Sequence, residues 1–213
     1  LRATPSPGVL IDVGSGVNCL GIAHALMHPA VVVIAVDWEH HSTFLPHIRP
    51  HPSCPPNLKF VKMDFIDLTL DVLTSLVRSH AHAPLSAVGL LHFSPQCTTI
   101  SDCSGDLPVW DPEAQARLPH RFPDGSPQTS MARADDLRLA HIFELIHSLT
   151  SLLPHLLVHV ENPVSKAWPT LPPVRHALSL PDWSLLRCDH CSVALPAFDF
   201  HLCANKPTYW VVF

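Results

Sequence analysis

Two short stretches carry the residues best suited to chemistry. Cys97 sits in Ser94-Pro95-Gln96-Cys97-Thr98-Thr99-Ile100-Ser101, and Glu161 opens Glu161-Asn162-Pro163, each directly after an apolar run that reads as a buried strand. Only a thiolate is a competent sulfur nucleophile, and the hydroxyls of Thr98, Thr99 and Ser101 can cap a helix whose positive end lowers the thiol pKa. A lone carboxylate leaving an apolar strand is raised in pKa by burial unless it is paired, which suits a general acid. Together, a thiol and a carboxylate brought to one edge of a sheet can add to a pyrimidine ring and protonate it. The bland alternatives are a small core cysteine and a glutamate spent on an ion pair or a cap.

A second set of residues points to a bound nucleoside. Val9 to Val13 runs into Asp12-Val13-Gly14-Ser15-Gly16, and an amphipathic stretch from Cys19 to Met27 follows, which reads as strand, glycine turn and helix. Val31 to Val36 is a β-branched run closed by Asp37, about 20 residues beyond the glycines. Gly14 and Gly16 let the backbone turn tightly and approach a ligand, while Asp37 can accept hydrogen bonds from both hydroxyls of a ribose. After a third strand, Lys59 to Met63, the pair Asp64-Phe65 offers a carboxylate for an exocyclic amine and a ring to lie against it. Those three strand ends suit S-adenosylmethionine. No Gly-Lys-Ser/Thr phosphate loop occurs, so a nucleoside triphosphate fits less well.

Positioning these groups requires alternating strands and helices. Asp71 to Arg78 reads as a helix and Ala87 to Phe93 as the strand before Cys97. From Arg133 to Leu153, Leu139, Ile142, Phe143, Ile146, Leu149 and Leu153 recur at helical spacing, with Asp135, Asp136, Arg138 and Glu144 on the other side, and Pro154 stops the run. Leu156 to Val160 is the strand before Glu161, and Ser184 to Cys188 and Tyr209 to Phe213 form a last antiparallel hairpin. The expected fold is α/β, a doubly wound, mostly parallel, Rossmann-like sheet with its site at the carboxyl ends of the strands. Between Asp102 and Ser130 the chain lacks any sustained period, which predicts a long loop.

The bulk composition narrows the options. With 213 residues, 47% of them hydrophobic, one core can be buried, so a single domain over 1–213 is expected. Charged residues are 15% and the formal net charge is −5, which excludes a global basic field for polyanions and makes any nucleic-acid surface local. Of the 23 prolines, 14 cluster between Pro46 and Pro56, Pro108 and Pro127, and Pro163 and Pro173, marking connections. Seven cysteines, no recognisable leader and no long apolar stretch suit a reducing, intracellular setting of undefined compartment, away from membranes.

Taken in order, Asp12-Val13-Gly14-Ser15-Gly16, Asp37, Asp64-Phe65, Ser94-Pro95-Gln96-Cys97 and Glu161-Asn162-Pro163 resemble the DNA cytosine-5 methyltransferase family. The likeness is to its compact, phage-like branch, where Ser-Pro-Pro-Cys-Thr-x-Phe-Ser and Glu-Asn-Pro are usual. Cys188-Asp189-His190-Cys191 followed by Lys206-Pro207-Thr208-Tyr209-Trp210 fits that branch as well. The resemblance implies S-adenosylmethionine-dependent methylation of carbon 5 of a flipped cytosine in DNA. In that scheme Cys97 adds to carbon 6, Glu161 serves ring nitrogen 3, Asn162 holds the Glu161 loop and Pro95 shapes the turn. Asp12, Gly14, Gly16, Asp37, Asp64, Phe65 and Pro95 would hold the cofactor.

The match departs in places. Gln96 replaces a proline and Ile100 a phenylalanine, and no Gln-x-Arg-x-Arg segment is found. No separate target-recognition domain fits after Val193, so sequence choice falls to the loop Asp102 to Ser130, whose Arg117 and Arg121, with Arg133, can meet phosphates, or to a partner assembly. Cys188, Cys191, His201 and Cys203 could be read as a zinc site, but the resemblance explains the first pair without metal, and none is expected. Two other functions compete. A non-catalytic subunit of a larger assembly, such as a ribonucleoprotein, fits the acidic charge, and an enzyme acting on RNA would use similar chemistry.

Overall fold

The computed structural model describes residues 8–15, 19–38, 55–95, 98–100, 108–163, 165, 167–189 and 207–212. The β-branched and apolar runs form strands β1 (Val9–Val13), β2 (Val32–Asp37), β3 (Leu58–Lys62) and β4 (Val88–Phe93). β1 pairs in parallel with both β2 and β4, and β2 with β3. Helices α1 (Cys19–Met27) and α2 (Leu70–Ala81) supply the crossovers such pairing needs. Every residue of β1 is buried, as expected for a central strand covered on both faces. On one face Leu10, Val33, Ala35 and Leu58 pack with Ala25 of α1 and Val31, while α2 also packs on β2 and buries Leu73 and Val77.

Side-chain caps fix the helix ends. Thr69 accepts a hydrogen bond from Val72 N–H to start α2, and His82 in the left-handed region ends it. The end of α1 is tied to the sheet by one amide, since Asn57 Nδ2 donates to the carbonyls of Ala25 at 3.1 Å, His28 at 3.3 Å and Val31 at 2.6 Å.

Seven strands form the main sheet in the order β3-β2-β1-β4-β7-β9-β8, with β7 (Leu157–Pro163), β8 (Ser184–Asp189) and β9 (Pro207–Val212). Strand order reverses at β1 and β4, the switch point where open α/β sheets bind ligands. The expected C-terminal antiparallel hairpin is β8 against β9. By compactness the chain falls into two units, 1–94 with 144–159, and 95–143 with 160–213. The second holds a two-stranded antiparallel sheet, β5 (Val109–Asp111) and β6 (Ala116–Leu118), the first turns of α3 (Ser130–Leu152) and the short α4 (Pro172–Leu178).

Two features differ from the sequence reading. The stretch expected to be a structureless loop contains β5 and β6, each three residues and so too short for a period to show. The proline-rich connection contains α4, which begins on Pro172 because proline is tolerated in the first helical turn. Among the described residues no helix is long and apolar enough to cross a membrane.

Asn57→Ala removes the donor shared among three backbone carbonyls, of which His28 O keeps its bond from Val31 N–H. It should lower stability by about 1–3 kcal/mol, seen as an earlier midpoint in urea; an unchanged midpoint would mean that water serves those carbonyls equally well.

Candidate active site

In the first unit the carboxyl ends of the parallel strands are laced together through the backbone. Gly14 N–H donates to Val36 O and Ser94 N–H to Val13 O, both at 2.8 Å, and Met63 N–H donates to Asp37 O at 2.8 Å. Gly14 has φ +74°, and a Cβ built there would lie 2.1 Å from Ser94 O. No residue with a side chain fits that space. The sequence reading gave this glycine to close ligand approach; the geometry assigns it to the passage of the β4 end across the β1 turn.

Around this lacing lie three of the expected acids. Asp12 is 1% exposed; in register it stands opposite Ala35 of β2 and His92 of β4, a residue the sequence reading passed over. Burial pushes its carboxyl up to about 7, against a hydrogen bond from Gly21 N–H that favours ionisation, and nearby Asp37 adds a smaller push in the same direction. Its Oδ2 has no hydrogen-bond partner among the described residues. Asp37 closes β2 and is 7% exposed. Asp64 is half-buried and caps a 3₁₀ turn, Phe65–Asp67, through Ile66 N–H at 3.2 Å. The Phe65 ring is buried, packing edge-on against Phe93 with centroids 5.6 Å apart and reaching Gly14.

An orphaned carboxylate oxygen, a second acid at the next strand end and a third beyond it make an acceptor set for a cationic amine and vicinal hydroxyls. It fits the amino-acid and ribose parts of S-adenosylmethionine and has no feature for polyphosphate.

The second unit fixes the chain just after the expected nucleophile. Thr98–Ile100 form a turn; Thr99 is wholly buried and its Oγ1 donates to Asp135 Oδ2 at 2.7 Å. Its hydroxyl is therefore spent on α3 rather than on a helix cap beside Cys97. Arg121, also buried, donates through Nε to Thr99 O at 2.8 Å, through Nη1 to Gly125 O at 3.0 Å, and through both Nη atoms to the Asp136 carboxylate. These bonds correct two expectations. Asp135 does not face solvent, and Arg121 is a brace rather than a phosphate contact. Arg133 is likewise committed, to Glu113 and to Gln128 O.

Glu161 and Asn162 lie within β7, which extends past the apolar run to Pro163. Glu161 is half-buried, and Asn162 is fully buried with neither side-chain atom hydrogen-bonded among the described residues. Ser94 and Pro95 follow β4 and are half-buried. Cys97, Gly16, Cys191, His201 and Cys203 lie outside the described residues; Cys188 belongs to β8. No cluster of three or more metal-binding side chains occurs among the described residues.

Among solved structures, one with a TM-score above 0.5 shares this architecture. The human methyltransferase 10 domain containing protein aligns over 100% of this chain and 74% of its own, with TM-score 0.53 and 12% identity. The chain has a methyltransferase fold. Less close are the METTL16 methyltransferase domain, covering 96% and 72% at TM-score 0.49 and 13% identity, and a 16S rRNA (adenine(1408)-N(1))-methyltransferase from Catenulisporales acidiphilia, covering 96% and 85% at 0.46 and 14%. No family model and no curated protein sequence matches the chain.

The folded chain holds the Asp12 proton up to a pH of about 7, whereas the unfolded chain releases it near 3.8. Because the folded state binds more protons in that window, this residue makes stability fall as pH rises through it. Measured against Asp12→Asn, the melting temperature of the unaltered chain should drop between about pH 5 and about pH 7.5; a constant difference would mean the buried acid does not titrate there. At the second unit, Thr99→Val keeps the volume but strips a donor from a buried carboxylate. A loss of about 1–3 kcal/mol, mostly restored by Thr99→Ser, should appear in chemical denaturation; equal stability of the two variants would contradict the brace.

Proposed function

We propose that the chain methylates carbon 5 of cytosine in DNA, with S-adenosylmethionine as donor and Cys97 as nucleophile. The reading is carried by one observation: the motif residues, in their sequence order, fall on successive strand ends of a methyltransferase sheet whose switch point is β1 and β4. Asp12 and Gly14 flank the end of β1, Asp37 ends β2, Asp64-Phe65 follows β3, Ser94-Pro95 follows β4, and Glu161-Asn162 lies in the last three residues of β7.

The chemistry follows from the residue types. The Cys97 thiolate forms a bond to carbon 6 of an extruded cytosine, and the ring electrons displaced from the 5,6 double bond move toward nitrogen 3. Glu161, as the acid, donates its proton to nitrogen 3 and leaves carbon 5 electron-rich. Bound S-adenosylmethionine supplies an electrophilic sulfonium methyl for that carbon. Loss of the carbon 5 proton to solvent then re-forms the double bond, expels Cys97 as thiolate and returns the nitrogen 3 proton to Glu161. Pro95 shapes the turn ahead of Cys97, and Thr99 with Arg121 anchors the turn after it. Asp12 would take the donor's amino group and Asp37 its ribose hydroxyls, with Asp64 beside the exocyclic amine.

One observation favours a second reading. Asp37 and Phe65 are each 7% exposed, so the acid and ring offered to a nucleoside are largely covered. A non-catalytic subunit that keeps this fold within a larger, for example ribonucleoprotein, assembly would tolerate a closed site.

The two readings separate when the protein is incubated with S-adenosylmethionine and 5-fluorocytosine oligonucleotides, as DNA and as RNA. The enzyme reading expects a covalent adduct with DNA that survives denaturation and vanishes in Cys97→Ser. Adduct with RNA alone would move the substrate to RNA, and no adduct with either, together with no calorimetric binding of the cofactor, would leave the scaffold.

A further inference from the structure

The β5–β6 hairpin places an unusual pair on its outward face. Trp110 and Arg117 are directly opposed across the antiparallel register, so their side chains leave the same side of the ribbon. Trp110 is 61% exposed and Arg117 is exposed, whereas Asp111 on the other side is buried and Val109, Ala116 and Leu118 are partly covered. Most of the tryptophan faces water, so most of its surface is left out of the packing. Arg117 is also distinct in charge: of the four arginines between 95 and 143, Arg121, Arg133 and Arg138 all pair with carboxylates, and Arg117 has no ion pair among the described residues.

Among the described residues, the two acids of the hairpin and its turn are engaged elsewhere. Glu113 is held by Arg133. Asp111 accepts through Oδ1 from Glu113 N–H at 3.0 Å and Ala114 N–H at 2.8 Å, and through Oδ2 from Ser130 N–H at 2.6 Å and Ser130 Oγ at 3.0 Å. One carboxylate thus closes the hairpin turn and caps α3, so the outward pair is carried on a rigid mount.

We propose that this face, Trp110 beside Arg117, is a contact surface for a nucleic-acid strand, with the indole stacked on an unpaired base and the guanidinium on a neighbouring phosphate. One aromatic plane with one uncommitted cation is the minimal unit of single-strand recognition. The inference rests on the nucleic-acid substrate class argued above, and of the three arginines expected to meet phosphates, Arg117, Arg121 and Arg133, it keeps Arg117 alone. It also gives a chain of net charge −5 a local site for a polyanion.

The test uses the full chain carrying Cys97→Ser and fluorescein-labelled single-stranded DNA, read by anisotropy across a salt series. Trp110→Ala should weaken binding by about tenfold or more with the salt slope unchanged. Arg117→Ala should weaken it and reduce the slope by about one. Arg78→Ala, which removes an exposed cation on α2 in the first unit, serves as control and should leave both unchanged. Both hairpin positions are exposed, and circular dichroism melts verify that folding is retained. Affinities of both hairpin variants equal to the parent would overturn the proposal, as would an equal loss for polyglutamate, which would mark a generic anion site for an acidic protein. The adduct assay reports separately: adduct formation with both hairpin variants neutral defeats the contact surface alone, and weakened binding without any wild-type adduct defeats the reaction alone.

Discussion

The carbonyl oxygen of Ser94 occupies the space that any side chain at residue 14 would need, and the rest of the first unit is arranged around that contact. With Ser94 N–H bonded to Val13 O and Gly14 N–H to Val36 O, the ends of β4, β1 and β2 form one backbone-locked edge. Asp12 sits just beneath it and Asp37 at its flank, and Phe65 closes onto Gly14 from the following strand. The acids are thereby fixed by main-chain geometry rather than by side-chain packing, the kind of support that a site needing sub-ångström placement requires.

That edge carries an electrostatic tension. Two carboxylates share a water-poor region, and the more buried one retains its proton to near neutrality. A cation arriving there would meet an acid that ionises readily once the charge is shared, so binding and proton release are coupled. The second unit resolves its own buried charges differently: the Asp136 carboxylate and Arg121 satisfy one another, and Thr99 lends a donor to Asp135. Neither arrangement is needed to fold a generic α/β sheet, and each lies on a segment that adjoins a motif residue.

Much of this was legible from residue types. Val9 to Val13 and Cys19 to Met27 match their elements at both ends, because β-branched and apolar runs bounded by glycine leave little freedom. The mostly parallel sheet and its closing hairpin followed from the alternation of elements, whereas the strand order is seen only in the structure. What escaped the sequence shares one physical character: it depends on long-range polar contacts or on very short elements. Arg121 looks like a surface cation until its partners, 22 positions upstream at Thr99 and 15 downstream at Asp136, are seen to converge on it. Gly14 looked like room for a ligand, and only the path of Ser94 shows what fills the space. Asn57 carries no motif, yet it staples α1 to the sheet across 32 positions.

Asp111 joins two elements 19 positions apart through a single carboxylate. The ribbon that displays Trp110 and Arg117 and the start of α3 are one mechanical piece, and Arg121 binds the intervening turn to the same helix. Change of target preference by insertion or shortening between residues 111 and 130 would therefore unpin the helix as well as the ribbon. An engineer wishing to exchange this element with that of another protein should move residues 109–136 as an uncut cassette, keeping its internal bonds and varying only the two outward positions.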